Sequence, residues 1–307
     1  MADDDATTPL ATETAEQVRA VLRSRLRLQL ARPAVARVFA VANQKGGVGK
    51  TTTTVNMAAA LAQHGLRVLV IDLDPQGNAS TALGVEHPEG TPSVYDAVVG
   101  GVPLDELVRP CAEVARLSVV PATIDLAGAE IELVSLVSRE TRLRRALTAH
   151  LGAQDGRPDR ADYVFIDCPP SLGLLTVNAL VAAGEMLIPI QCEYYALEGL
   201  GQLLRNIDLV RAHLNPGLDV STILLTMHDA RTKLSAGVAA EVREHFAGKV
   251  LATAIPRSVR VSEAPSYQQT VMTYDPTSPG ALSYLEAARE LAGRAASVSS
   301  RRVEVSP

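Results

Sequence analysis

The amino-acid sequence predicts an α/β fold in which a doubly wound, mostly parallel sheet is flanked by helices. Short apolar runs, such as residues 163–167, alternate with helix-like segments along most of the chain. Hydrophobic residues make up 47% of the chain, aromatic residues only 3%, and tryptophan is absent. The core must therefore be built from alanine, valine, leucine and isoleucine, which suits a parallel sheet covered by helices.

The predicted elements begin with a strand at residues 38–42, which leads through a glycine-rich loop into a helix. The region from residue 79 to residue 161 is the least regular part of the sequence. We predict the remaining strands at 67–74, 117–120, 163–167, 186–191, 220–227 and 250–255. We predict helices at 94–99, 105–108, 129–151, 197–214, 234–246 and 280–294.

The loop after the first strand has the composition of a phosphate-binding loop. Glycines at 46, 47 and 49 allow backbone N–H groups to turn inward, and the helix that follows adds partial positive charge at its N-terminus. Lys50 is placed to reach the terminal phosphates of a nucleotide, and the Thr51 hydroxyl to bind the accompanying Mg²⁺. Val48 and Thr52 complete the predicted nucleotide-binding residues of this loop.

This loop departs from the pattern G-x-x-x-x-G-K-[ST] at its first position, which is Gln44. A second lysine, Lys45, directly precedes the glycine pair. The alternative interpretation is a glycine-rich turn carrying two solvated lysines, which the strand and helix on either side disfavour.

Aspartates end two of the apolar strands. Asp72 and Asp74 alternate at the end of one strand, so both lie on the same side if the strand geometry persists. Asp167 ends a second strand, and a carboxylate there is expected to bind Mg²⁺ directly or through water. An ordinary turn after the first strand would explain one aspartate well, but two beside a phosphate loop less well.

Composition excludes several other classes of protein. The net charge of -5 disfavours a wholly basic nucleic-acid binder without excluding a local basic patch. Three widely spaced cysteines support neither a disulfide framework nor a zinc site. No apolar run is long enough for a membrane span, and the first 20 residues lack a secretory signal, so we expect a cytoplasmic protein.

The chain is predicted to contain one domain with an appendage at each end. Residues 1–34 form an N-terminal extension, either a solvated arm or a short amphipathic helix between residues 15 and 30 that docks to a partner. Residues 35–295 are predicted to form the domain that carries the phosphate loop, and residues 296–307 a disordered C-terminal tail.

Five blocks of sequence together resemble the ParA/Soj family of chromosome- and plasmid-partitioning ATPases, whose P-loop carries a deviant Walker A motif. The blocks are NQKGGVGKTT at 43–52, DLDPQGN at 72–78, IDCPPS at 166–171, QCEYYALEG at 191–199 and IPRSVRVSEAPS at 255–266. The resemblance covers the chain from about residue 35 to residue 291.

The resemblance implies an ATPase that uses ATP and Mg²⁺ and works as a homodimer. Lys50 would contact nucleotide in its own subunit, whereas Lys45 resembles the signature lysine that reaches the partner's nucleotide. Asp74 resembles the residue that orients or deprotonates the attacking water, with Asp72 in support. Lys45, Lys50 and Asp74 are thus the candidate catalytic residues, and Thr51 and Asp167 the candidate metal ligands.

The family also implies non-specific DNA binding by the ATP-bound dimer, release by a ParB-type centromere-binding protein that stimulates hydrolysis, and a nucleoid-associated location. Basic residues near strand ends are the candidates for the DNA contacts, and the alternative interpretation of each one is an arginine or lysine side chain that is simply solvated. Pro256 and Arg257 are additional candidates for the nucleotide pocket. The candidate DNA contacts are Arg231, Lys233, Lys249, Arg257 and Arg260.

Two rival functions share the same loop. A membrane-surface ATPase of the MinD type needs a basic amphipathic C-terminal helix, and residues 295–302 lack the large apolar side chains for one. We therefore expect no stable membrane association. An electron-transfer protein resembling the nitrogenase iron protein needs cysteines that bind a cluster between subunits, whereas Cys168 and Cys192 have the context of small buried residues.

Overall fold

A computed structural model describes residues 29–194 and 196–303 of the chain. Most of the predicted N-terminal extension, with its expected helix, lies outside these residues. Residues 29–34, which are described, lie against the domain: the Leu30 N–H donates to the His64 carbonyl oxygen at 3.3 Å, and Arg32 pairs with Asp162 at 2.7 Å.

Seven strands form one sheet in the order β3-β4-β2-β5-β1-β6-β7. Every neighbouring pair is parallel except β3 and β4. The predicted fold class is therefore confirmed. The strands are β1 (Arg37–Val41), β2 (Val68–Asp72), β3 (Arg109–Pro110), β4 (Leu117–Val120), β5 (Tyr163–Asp167), β6 (Glu185–Gln191) and β7 (Asp219–Thr226).

Helices cover both faces of this sheet. The longer ones are α1 (Lys50–Gln63), α4 (Leu126–Val134), α5 (Arg142–Ala153), α6 (Leu174–Ala182), α7 (Ala196–His213), α8 (Lys233–His245) and α11 (Pro279–Val303). The shorter ones are α2 (Asn78–Ala82), α3 (Leu104–Leu107), α9 (Val259–Glu263) and α10 (Val271–Tyr274), with a π-helical turn at Asp96–Gly100 and 3₁₀ turns at Arg139–Thr141 and Ala264–Tyr267.

Alternation along the buried strands creates one hydrophobic core on each face of the sheet. In β1, Phe39 and Val41 belong to the core beneath α1 and α11, whereas Ala40 belongs to the opposite core. Phe39 stacks on Phe165 of the neighbouring strand with ring centroids 5.4 Å apart. The central strands are thus buried on both faces, as the continuous apolar runs predict.

The predicted helix over 129–151 is wrong, because the chain forms α4 and α5 in its place. No glycine or proline marks the break in the sequence. Ser138 has a positive φ of 55° there, and Asn178 of α6 accepts from the Leu143 N–H at 3.1 Å and donates to the Arg139 carbonyl oxygen at 2.8 Å. A tertiary side chain therefore satisfies the backbone groups that a continuous helix would have used.

The predicted strand at 250–255 is also wrong as a regular strand. The Leu251 N–H donates to Ile223 and the Ile255 N–H to Leu225, so both ends of this segment run beside β7. Between them, the N–H groups of Ala252 and Thr253 donate to the carboxylate of Glu290, at 2.9 and 3.2 Å. This side chain replaces the sheet partner in the middle of the segment.

The last helix extends past its predicted end at residue 294 to Val303, into the segment predicted as a disordered tail. No glycine or proline lies between Arg294 and Val303 to end it. Within the part of the chain that the structure describes, no helix combines the length and apolar character that crossing a bilayer requires.

Candidate active site

The carboxyl ends of β1, β2 and β5 meet at one edge of the sheet, where a cavity of about 660 Å³ opens. Its walls come from the loop 46–52, the turn 74–78, helix α4 and the loop 169–171. Open parallel sheets bind their ligands at this edge. The structure thus brings the phosphate loop and Asp74 together at one cavity.

The loop 46–49 leads directly into helix α1. Gly47 and Gly49 have positive φ values of 73° and 86°, which favour glycine, and a Cβ at Gly46 or Gly47 would meet no atom within 4 Å. No side chain caps the N-terminus of α1. Backbone donors and the partial positive charge of the helix are therefore available at the cavity, which suits a phosphate group.

Neighbouring strands fix the shape of this loop. Asn43 donates to the Pro189 carbonyl oxygen at 2.8 Å and accepts from the Lys45 N–H at 3.0 Å. Thr226 of β7 donates to the carbonyl oxygen of Val48 at 2.8 Å, and the Val48 side chain is buried. Val48 is therefore an anchor of the loop and not a wall of the cavity.

Lys50 lies at the start of α1 and is buried. Its Nζ donates to the Lys45 carbonyl oxygen at 3.4 Å, which is long for a hydrogen bond. Burial lowers the pKa of Lys50, and the charge of Asp167 opposes this effect only in part. An anionic ligand in the cavity would favour the charged ammonium.

Asp167 at the end of β5 accepts two hydroxyl hydrogen bonds from α1. Thr51 donates to Oδ2 at 2.7 Å, and Thr54 donates to Oδ1 at 2.8 Å. Residues three apart lie on the same face of a helix, so both hydroxyls reach one carboxylate. The Thr51 hydroxyl and the Asp167 carboxylate offer the oxygen ligands that Mg²⁺ prefers, and they fit the predicted metal site.

Asp72 and Asp167 are direct partners in the register of β2 and β5, and both are fully buried. Burial raises the pKa of Asp167 to about 7, with a further contribution from the charge of Asp72. Burial likewise raises the pKa of Asp72 to about 6. Ser80 opposes this rise by donating to Asp72 through its N–H at 2.8 Å and its hydroxyl at 2.7 Å. Asp72 therefore supports the site from below the cavity.

Asp74 differs from Asp72 because it lines the cavity. A turn shapes its surroundings: the Gly77 N–H donates to the Asp74 carbonyl oxygen at 2.9 Å, and the Gln76 N–H donates to its carboxylate at 3.0 Å. This position suits a group that orients a water molecule.

Lys45 is not among the residues that line the cavity. Its Nζ pairs with Glu193, just after β6, at 3.0 Å, and the Lys45 and Glu193 side chains are 41% and 45% exposed. Glu193 also lies 4.0 Å from Arg257. The two phosphate-loop lysines thus have different environments, one inside the site and one at its rim.

Pro256 and Arg257 lie at the same edge of the sheet but do not line the cavity. Pro256 forms an isolated bridge with His228, and the Arg257 N–H donates to the His228 carbonyl oxygen at 3.1 Å. Met227, next to His228, does line the cavity. The predicted contact of Pro256 and Arg257 with nucleotide stays a prediction.

The candidate DNA-binding residues do not form one cluster. Arg231 pairs with Asp229 at 2.9 Å, near Arg257, at the cavity edge. Arg260 contacts Glu263 at 3.1 Å and Asp275 at 3.6 Å. Lys249 lies at the opposite edge, where it approaches Asp219 at the start of β7 at 3.5 Å.

Lys233 is exposed at the first residue of helix α8, which Thr232 caps by accepting from the Ser235 N–H. Lys233 comes two residues after Arg231 in the sequence. Arg231, Lys233 and Arg257 therefore belong to the cavity end of the sheet, and a single DNA footprint that includes Lys249 would have to cross the height of β7.

Several residues of the site were not singled out from the sequence. Thr54 is the second hydroxyl on Asp167, and its spacing from Thr51 in the run of four threonines was the available signal. Gln76, Asn78 and Ser171 line the cavity within blocks already noted for their resemblance. Leu126, Ala127 and Glu130 line it from α4, where no local sequence pattern indicated a site.

Comparisons with known proteins agree with this geometry. Residues 36–220 match the model of the family described as AAA domain. The chain is 52% identical over 258 residues to the sporulation initiation inhibitor protein Soj of Bacillus subtilis, covering 84% of this chain and 99% of that protein. It is 51% identical over 270 residues to the chromosome partitioning protein ParA of Myxococcus xanthus, covering 87% and 92%.

Solved structures show the same fold. A cobyrinic acid a,c-diamide synthase from Mycobacterium smegmatis, with bound ATP analog and magnesium, superposes with a TM-score of 0.69 at 42% identity, covering 83% of this chain and 93% of that one. The septum site-determining protein MinD from Pyrococcus horikoshii, complexed with Mg-ADP, superposes with a TM-score of 0.66 at 22% identity, covering 85% and 99%. The sequence matches, the P-loop fold and the cavity lined by the phosphate loop and Lys50 place the chain in the ParA/Soj family of P-loop ATPases.

Proposed function

We propose that this protein is a DNA-partitioning ATPase that acts as an ATP-bound sandwich dimer. In this cycle, ATP binding drives dimerisation, the dimer binds DNA without sequence preference, and hydrolysis releases it. A ParB-type centromere-binding protein stimulates the hydrolysis, which is slow without it. The protein would act in the cytoplasm, associated with the nucleoid.

The observation that carries the dimer proposal is the position of Lys45. It belongs to the phosphate loop, yet its ammonium lies at the rim on Glu193 and outside the cavity wall. An exposed ion pair of this kind contributes less than about 1 kcal/mol, so a stronger anion can replace Glu193 at little cost. The phosphates of a nucleotide in a second subunit are such an anion, and a cation there would stabilise the transferred phosphoryl group as an arginine finger does.

The chain's own residues supply the remaining parts of an ATPase. Backbone N–H groups of the loop and the buried ammonium of Lys50 bind the nucleotide phosphates. Thr51 and Asp167 would bind Mg²⁺, which supplies charge neutralisation at the phosphates when bound. Asp74 orients the attacking water at the cavity wall. Positioning and charge stabilisation carry most of the catalysis in phosphoryl transfer, so a weak base suffices.

DNA binding is proposed for the basic residues at the cavity end of the sheet. Arg257 is 61% exposed and Arg231 is 87% exposed. Both side chains have acidic neighbours, Glu193 and Asp229, which DNA phosphates would replace. Such contacts carry no sequence code, and affinity should fall steeply with salt.

The proposal is tested by DNA binding with ATP, with ADP and without nucleotide, each over a salt series. We expect tight DNA binding only in the presence of ATP, and not with ADP or without nucleotide. In the ATP state, the logarithm of the DNA affinity should fall linearly with the logarithm of the salt concentration. Equal binding in all three nucleotide states would contradict the cycle. Light scattering under the same conditions measures whether ATP produces the dimer.

A further inference from the structure

The side chain of Glu130 in α4 lies against Gly173, the residue that precedes helix α6. A Cβ built on Gly173 would lie 1.8 Å from Glu130 Oε1 and 2.7 Å from Oε2. Gly173 has φ near −82°, which any residue adopts. A methyl group at residue 173 would therefore displace the end of the Glu130 side chain, so a Cβ there and the present position of this carboxylate exclude each other.

This contact lies at a wall of the nucleotide cavity. Glu130, Ser171 and Leu175 all line the cavity, and the loop between Asp167 and α6 connects the metal site to the Glu130 contact. Thr176, in the first turn of α6, donates to the carbonyl oxygen of Ser171 in that loop at 2.7 Å. The loop is thus fixed at one end by β5 and at the other by the Thr176 hydrogen bond, and the Glu130 carboxylate packs against its last residue.

The charge of Glu130 needs this location. Among the described residues, Glu130 Oε1 is buried without a hydrogen-bond partner, which is costly for a carboxylate. The N-terminus of α6, which begins next to Gly173 and which no side chain caps, offers compensating partial positive charge.

We propose that Glu130 is a positioning residue for ATP hydrolysis, which fixes the loop 168–173 by its contact with Gly173. The inference rests on the proposed ATPase function. Glu130 touches the loop and not the reacting atoms, so it should affect turnover more than nucleotide binding. The same contact should order the first turn of α6 even in the nucleotide-free protein.

The test uses a double-mutant cycle of Glu130→Ala and Gly173→Ala in the full chain. Each single change should lower kcat about tenfold or more while the KM for ATP changes by less than about threefold, because misplacement of a supporting group affects mainly the transition state. The double variant should be no slower than Glu130→Ala alone, since removal of the carboxylate leaves room for the new methyl group.

Hydrogen exchange of the Val177 amide, whose N–H donates to the Gly173 carbonyl oxygen at 3.0 Å, provides a readout without nucleotide that is independent of activity. Exchange should be about tenfold faster in Glu130→Ala than in the unsubstituted protein. Glu130→Gln keeps the shape of the side chain and should retain the exchange rate to within about threefold. Glu132→Ala is the matched control, because Glu132 lies on the same helix but accepts from the Tyr95 hydroxyl at 2.9 Å.

An unchanged kcat and unchanged exchange in Glu130→Ala would overturn the inference, as would additive losses in the double variant. If Gly173→Ala fails to fold, Glu130→Ala alone still decides through its kcat and exchange. Absence of ATP hydrolysis in the unsubstituted protein would instead overturn the proposed function, while the exchange experiment would still test the contact.

Discussion

Replacing Asp167 by asparagine should stabilise the metal-free, nucleotide-free protein at pH 8. Asp167 is fully buried beside Asp72, and these surroundings raise its pKa to about 7, above the value of 3.8 in the unfolded chain. The folded state therefore retains a proton that the unfolded state releases. The free energy of unfolding falls as pH rises from about 4 to about 7, and the loss is complete above pH 7.

The size of the effect follows from the two pKa values. The difference between 3.8 and about 7 corresponds to roughly 4 kcal/mol at pH 8, at about 1.4 kcal/mol for each pH unit. Asparagine avoids this penalty, but its amide nitrogen cannot accept the hydrogen bond that one of the two hydroxyls of Thr51 and Thr54 donates, and loss of that acceptor costs about 2 kcal/mol. A net stabilisation of about 2 kcal/mol remains.

Urea unfolding of the two proteins in EDTA, at pH 5, 6, 7 and 8, measures this difference. The gap between Asp167→Asn and the unsubstituted protein should widen from pH 5 to pH 7 and then level off. Asp208→Asn, an exposed carboxylate on α7, should show no such trend. Addition of Mg²⁺ and ADP should reverse the order, because only the carboxylate would bind the metal. A gap that is constant with pH, or largest at pH 5, would refute the reasoning.

Four further predictions concern the ATPase cycle. Lys45→Ala should abolish ATP-driven dimerisation or hydrolysis. The melting temperature should stay within about 2 °C, because the exposed ion pair between Lys45 and Glu193 contributes little to stability. Normal ATP turnover in this variant would contradict the proposed action of Lys45 on the nucleotide of the second subunit. Asp74→Ala should accumulate an ATP-bound dimer that still binds DNA, and a monomer at saturating ATP, measured by light scattering, would count against its role with water. Arg257→Glu should weaken DNA binding at least tenfold and reduce its salt dependence without loss of dimerisation. Arg260→Glu should do the same, and unchanged DNA affinity in fluorescence anisotropy would reject the corresponding residue.

The sequence predicts the sheet well because its central strands are buried on both faces. The run at residues 163–167 has no other stable place than the middle of a covered sheet, and the structure has a strand there with the same bounds. Residues 250–255 have a similar apolar pattern, but Glu290 of a distant helix takes the N–H groups of Ala252 and Thr253. The local sequence pattern does not show that Glu290 will replace a strand as the hydrogen-bond acceptor. It also does not show the contacts of Asn178 that separate α4 from α5.

In the candidate active site, too, the sequence predicts the features that are local and misses those that depend on tertiary contacts. The phosphate loop is contiguous, so residues 46–52 carry their own signal, and the aspartates at strand ends converge because parallel strands end at one edge. The α4 wall was not predictable, because Glu130 reaches the cavity only through the packing of α4 beside α6. The separation of Lys249 from Arg257 likewise depends on which end of β7 each one meets, since basic character alone does not order them in space.

The attachment of residues 29–34 has a practical consequence for the N-terminal segment. Leu30 and Arg32 contact His64 and Asp162 at the amino ends of the strands, so the chain emerges on the side of the molecule opposite the nucleotide cavity. A fluorophore or surface tether attached next to this segment at Val35, whose side chain is 74% exposed, would therefore leave the nucleotide face open to a second subunit.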